Sequence, residues 1–124
     1  VICYKERKKA NVVEEMFLIG DVKDKNVILI DDMIDTAGTL CKAADILMAN
    51  GAKSVRAMAT HGVLSGKAYE NIENSQLLEV IVTDSIPQKT EKSSKIRVLS
   101  CAELFADVMN MVHEHKSISE KFII

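Results

Sequence analysis

Cysteine is scarce in this sequence and nowhere paired by spacing. Cys3, Cys41 and Cys101 are odd in number, far apart and never arranged as CxxC, so neither a disulfide framework nor a zinc site is indicated, and a reducing cytoplasm is the expected setting. No apolar run reaches the roughly eighteen residues of a membrane span, and the start lacks the charged-then-apolar pattern of a signal peptide; no membrane partner is expected. A strong charge of one sign is missing too. Sixteen Lys and Arg face eighteen Asp and Glu, a net charge of -2, which argues against a general electrostatic grip on nucleic acid or anionic lipid. Any anion site must be local. GxxxxGK[ST] and GxGxxG are absent, so a P-loop or dinucleotide-binding assignment lacks its defining residues.

What remains is the composition of one soluble globular domain: 124 residues, 48% hydrophobic and 27% charged. A chain of this length buries roughly two thirds of its unfolded surface without staples. Val1-Ile2-Cys3-Tyr4 has no initiator Met and reads as the end of a strand already under way, which predicts a piece of a longer polypeptide; a trimmed terminus is the alternative. Asn26 to Ile30 is a continuously apolar, β-branched run, predicting a central strand buried on both faces. Leu40, Ala43, Ala44, Leu47 and Met48 share one helical face, and Asn50-Gly51 stops that helix. Strands are expected over 55–60, 77–83 and 96–99, with a helix from Lys67 to about Ile72. Asp84 to Ser94 carries the only proline, Pro87, and reads as a surface connection. Ser100 with Glu103 forms a capping box before a helix whose Leu104, Phe105, Val108, Met111 and Val112 share a face. Alternating strands and helices predict an α/β fold, a mainly parallel sheet flanked by helices, with ligands beyond the carboxyl ends of the strands.

Chemistry concentrates where the first long strand ends. Asp31, Asp32 and Asp35 arrive together, and Thr36-Ala37-Gly38-Thr39 leads straight into a helix. Amides at a helix start, aided by hydroxyls and a glycine that admits close approach, make a phosphate cradle. Carboxylates repel phosphate but accept from sugar hydroxyls and partner a metal ion. Phosphate at one end and hydroxyls at the other describe a sugar phosphate. An acidic strand-to-helix loop with a Thr cap and no ligand is the alternative reading. Lys5-Glu6-Arg7-Lys8-Lys9 is a basic run in an acidic chain, which on charge alone is a solvated face.

The stretch Val27 to Leu40 resembles the motif that binds phosphoribosyl diphosphate (PRPP), and its Asp35-Thr36-Ala37-Gly38-Thr39 form resembles the ribose-phosphate pyrophosphokinase family. The likeness continues through Thr60 to Gly66, Val82 to Pro87 and Ser117 to Phe122, in the order of that family's carboxyl-terminal half. It implies a single type I phosphoribosyltransferase-like domain over 1–124, with a mobile basic catalytic loop over 5–15 and the PRPP motif over 27–40. It further implies transfer of diphosphate from MgATP to ribose 5-phosphate, giving PRPP and AMP. Lys5 and Arg7 would be catalytic, Asp31 and Asp32 would take ribose hydroxyls, and Asp35, Thr36, Ala37, Gly38 and Thr39 would cradle the 5-phosphate. Asn11 also fits the pattern, whereas Glu6 stands where the family usually has Arg.

The same resemblance implies Mg²⁺ as cofactor with no metal site in this chain, and ATP contacts in an amino-terminal half. Ser117, Ser119 and Phe122 match a regulatory ADP or phosphate site between subunits of a homo-oligomer, a hexamer of dimers; a frayed tail is the alternative. A phosphoribosyltransferase that consumes PRPP and a non-catalytic regulatory relative are the rival functions. His61 reads as a structural histidine at the ligand edge, His113 and His115 point to different faces and predict no metal, and the six methionines read as packing.

Overall fold

The computed structural model describes residues 2–6 and 15–121, with side chains from residue 20 onward except that of Thr90. Two short strands, β1 (Ile2–Glu6) and β2 (Glu15–Ile19), pair antiparallel with Lys5 opposite Met16 and Glu6 opposite Glu15. Lys5 and Glu6 close β1 and Glu15 opens β2, and the remainder of the 5–15 segment expected as a basic catalytic loop lies outside the described residues. Arg7 and Asn11, and Phe122 at the other terminus, lie outside the described residues.

The rest of the chain alternates as the periodicity predicts. β3 (Asn26–Ile34), α1 (Gly38–Ala49), β4 (Ser54–Gly62), α2 (Ala68–Glu73), β5 (Glu79–Thr83), β6 (Ile96–Leu99) and α3 (Ala102–His113) follow in order, and the four strands form one parallel sheet in the order β3-β4-β5-β6. The core sits on one face of that sheet. Ala44 and Leu47 of α1 and Ala68 and Ile72 of α2 close over Val55, Ala57, Val80 and Val82, all buried. Small residues on the helix and the strand let the two layers approach closely while Leu47 and Ile72 fill what remains. α1 ends as its sequence dictates: Gly51 takes φ 87°, its amide donates to Met48 O at 3.0 Å, and Ala52 donates to Leu47 O at 3.1 Å.

Three expectations need correction. β3 is not a central strand buried on both faces; it lies at one end of the described sheet, with Ile30 82% and Ile28 53% exposed. α1 and α2 cover the opposite face, and no described element covers this one. The capping box of Ser100 and Glu103 does not form. The N-cap is Cys101, and Ser100 Oγ donates to Asp84 Oδ2 at 2.5 Å while accepting from the Ala102 amide at 3.2 Å. Asp84, a charged acceptor one residue past β5, takes the Ser100 hydroxyl hydrogen and the Cys101 amide, fixing Ser100 ahead of the cap. Finally, the 84–94 connection is more than a surface loop. Gln88 Nε2 donates to Gly62 O at 2.7 Å, the Lys89 amide donates to Tyr69 Oη at 3.0 Å, and Ser93 is buried, donating to Glu73 Oε2 at 2.6 Å. α3 keeps the expected apolar face, but none of its residues is buried.

Candidate functional site: the strand-to-helix turn after β3

β3 runs further than its apolar core, so that Asp31 and Asp32 belong to the strand and Asp35 to the turn. Asp31 Oδ1 accepts from the Asp32 amide at 2.9 Å, and Asp32 Oδ1 accepts from the Met33 amide at 2.7 Å. These local bonds leave both carboxylates exposed and oriented. The chain then turns through Asp35, Thr36 and Ala37 into α1. Ala37 carries the conformational burden: it is buried and left-handed, with φ 61° and ψ 1°, which costs an L residue about 1–2 kcal/mol. It is also the N-cap, and its methyl offers no acceptor to the first turn of α1. The positive end of the helix dipole lies at this turn.

A second segment holds the turn in this shape. The Leu64 amide donates to Ile34 O at 3.1 Å, the Ser65 amide donates to Asp35 O at 3.2 Å, and Asn71 Nδ2 donates to Thr36 O at 3.0 Å. Ser65 Oγ donates to Asp35 Oδ1. On the other side the turn encloses an open cleft of about 300 Å³, lined among others by Asp31, Asp35, Thr36, Ala37, Gly38 and Thr39. Asp32 is not among its walls. Gly38 has room beside it, since an added Cβ would meet only Thr36 Oγ1, at 3.9 Å. Its missing side chain thus leaves space on the cleft and is not demanded by packing.

The neighbouring strand ends add polar groups. His61 Nδ1 lies 2.9 Å from Ser85 Oγ, and Thr83 Oγ1 donates to Thr60 O at 2.7 Å. Asp84, one residue past β5, accepts from Ser100 Oγ and from the Cys101 amide, and these two bonds bring its pKa down to about 2. Among the described residues no group of three or more His, Cys, Asp and Glu gathers as a metal site. In the tail, Ser117 Oγ donates to Ser119 Oγ at 3.0 Å and Lys121 is tied to Asp107 of α3 at 3.0 Å. The arrangement is a helix-opening bend whose chemistry suits an anion, flanked by carboxylates that can accept from hydroxyl groups.

The family model described as phosphoribosyl synthetase-associated domain matches residues 5–123. The chain belongs to that family. It is 55% identical over 123 residues to a ribose-phosphate pyrophosphokinase of Wolinella succinogenes, covering 99% of this chain and 40% of the relative. It is 49% identical to ribose-phosphate pyrophosphokinase 3 of Saccharomyces cerevisiae over 98% of this chain and 38% of the relative. Among solved structures it is similar to the phosphoribosylpyrophosphate synthetase of Mycobacterium smegmatis, with a TM-score of 0.77 and 38% identity over 91% of this chain and 37% of that one. The chain thus spans about 40% of the length of the curated relatives it matches. With this family comes the phosphoribosyltransferase-like fold that the resemblance implied.

The structure brings Asp31, Asp35, Thr36, Ala37, Gly38 and Thr39 to one cleft. Lys5 is placed only as a backbone position in β1, and Arg7 lies outside the described residues. The supports of the turn, Ser65 and Asn71, carried no role in the sequence reading. The Thr60 to Gly66 stretch was a signal for Ser65; nothing in the sequence singled out Asn71.

Proposed function

We propose that this chain supplies the ribose 5-phosphate site of a ribose-phosphate pyrophosphokinase. The observation that carries the reading is the left-handed Ala37 bend opening α1 beside Asp31 and Asp35. Helix-start amides suit the 5-phosphate, and exposed carboxylates suit the ribose hydroxyls, with Asp31 and Asp32 assigned to the latter. The similarity to pyrophosphokinases along nearly the whole chain supports the same reading. In the reaction so assigned, the 1-hydroxyl oxygen of the sugar bonds to the β-phosphorus of ATP. The bond from that phosphorus to the oxygen bridging to the α-phosphorus breaks, AMP leaves with the oxygen, and the hydroxyl proton is released. Holding the phosphate end fixes where the 1-hydroxyl lies, and most of the rate gain in such transfers is positioning and electrostatics.

Lys5 and Arg7 are assigned to the charge on the transferring group, where cations act most strongly once water is excluded. The residues present fit Mg²⁺ as partial ligands only: Asp31 and Asp35 on the cleft are exposed hard oxygen donors, suited to an ion that keeps several waters and takes one or two carboxylates with substrate phosphates. When bound, the ion neutralises phosphate charge. Ser117, Ser119 and Phe122 are assigned to a regulatory anion site in a homo-oligomer. The free thiols of Cys41 and Cys101 suit a cytoplasmic setting. Calorimetry with ribose 5-phosphate tests the core of this reading: the chain is expected to bind it and Asp35→Ala to abolish binding. Unchanged affinity in that variant refutes the site.

A further inference from the structure

Three successive carbonyls of the turn, those of Ile34, Asp35 and Thr36, are each held from outside it. A trans peptide points the carbonyl of one residue and the amide N–H of the next in opposite directions within one plane. Pinning the three oxygens therefore aims the amides of Asp35, Thr36 and Ala37 the other way. None of the pinning residues, Leu64, Ser65 or Asn71, is among the walls of the cleft. Two pins are main-chain amides, which only proline would remove. The third is a side chain, reaching 35 residues back along the sequence from α2.

That third pin bears on the peptide that most needs one. Thr36–Ala37 is the plane that enters the left-handed residue. Alanine, unlike glycine, prefers to leave that conformation, and leaving it rotates the adjoining planes. We infer that Asn71 is a positioning residue for the anion end of the cleft: its Nδ2–H holds the Thr36 carbonyl and so keeps the Ala37 amide turned toward the bound phosphate. The inference rests on the ribose 5-phosphate reading above. It adds a residue on α2 that touches no ligand yet sets the population of the competent turn. Losing the pin lowers apparent affinity by the fraction of turns that relax.

The test is calorimetry on the 124-residue chain with ribose 5-phosphate and, separately, inorganic phosphate, in four forms: unsubstituted, Asn71→Ala, Ala37→Gly and the double variant. Asn71→Ala is expected to weaken both ligands about tenfold, equivalent to about 1.4 kcal/mol. Because Asn71 is half-buried on a helix, the ligand-free thermal midpoint should move little. The discriminating result is the cycle. With Ala37→Gly in place the left-handed turn no longer needs holding, and adding Asn71→Ala should cost less than about threefold, whereas a merely structural loss would be the same in both backgrounds. Asn71→Asp, of equal size but with no donor, should weaken binding at least as much as Asn71→Ala. Full affinity in Asn71→Ala, or an equal loss in both backgrounds, overturns the inference. An unsubstituted chain that binds neither ligand overturns the site itself, which is a different outcome.

Discussion

Gly38 and Ala37 sit side by side and carry opposite constraints. The residue with the glycine-like backbone is the alanine, and the glycine opens α1 in an ordinary helical conformation with open space beside it. Gly38→Ala should therefore fold without penalty, gaining up to about 1 kcal/mol from reduced unfolded-state freedom. The added methyl would stand on the cleft, where a phosphate oxygen has to approach the main chain. Ribose 5-phosphate binding is expected to weaken by about tenfold or more, or about 1.4 kcal/mol. Urea unfolding and calorimetry on one preparation check both halves. A variant that binds normally would mean the anion lies elsewhere.

At the level of elements, the packing of β4 and the start of α3 each turn on one residue, Gly62 and Asp84. Gly62 ends β4 against Val82 and Gln88: a Cβ there would lie 3.1 Å from Val82 Cγ1, 3.2 Å from Val82 Cβ and 3.0 Å from Gln88 Nε2. Gln88 can swing aside, but Val82 is buried in the core. Gly62→Ala should cost about 1–3 kcal/mol by overpacking, read as a lower urea midpoint. Asp84 fastens α3 to the end of β5 through Ser100 Oγ and the Cys101 amide, and this draws its pKa from the ordinary 3.8 down to about 2. A carboxyl depressed in the folded state stabilises it above the unfolded pKa, and that contribution fades as pH falls from about 4 through about 2. Asp84→Asn is accordingly expected to lower the thermal midpoint at pH 7 and to match the unsubstituted chain near pH 2. A gap that stays constant with pH would deny the carboxylate this role.

For the whole molecule, what the sequence discloses depends on how far apart the interacting residues are. The apolar face of α1, its stop at Gly51 and the acidic turn into it are local patterns, and they appear where periodicity and spacing put them. Ser65 and Asn71 meet the turn from 30 and 35 residues away, and Asp84 reaches Ser100 across 16; no window of residues carries such pairings. β3 misled for a related reason. A continuous apolar run records that a strand suits burial but does not say what buries it, and here Ile28, Ile30, Met58 and Leu99 line an uncovered face. Such a contiguous patch should bind an amphiphilic dye in the native state. The folded chain is expected to enhance anilinonaphthalene sulfonate fluorescence at neutral pH, well below its unfolding midpoint in urea. Ile30→Lys combined with Leu99→Lys should remove most of that signal. Each substitution should also shift stability by no more than about 0.5 kcal/mol, as surface changes do. A loss of several kcal/mol in the double variant, or unchanged fluorescence, would mean that this face is packed in solution and that the sheet is covered on both sides after all.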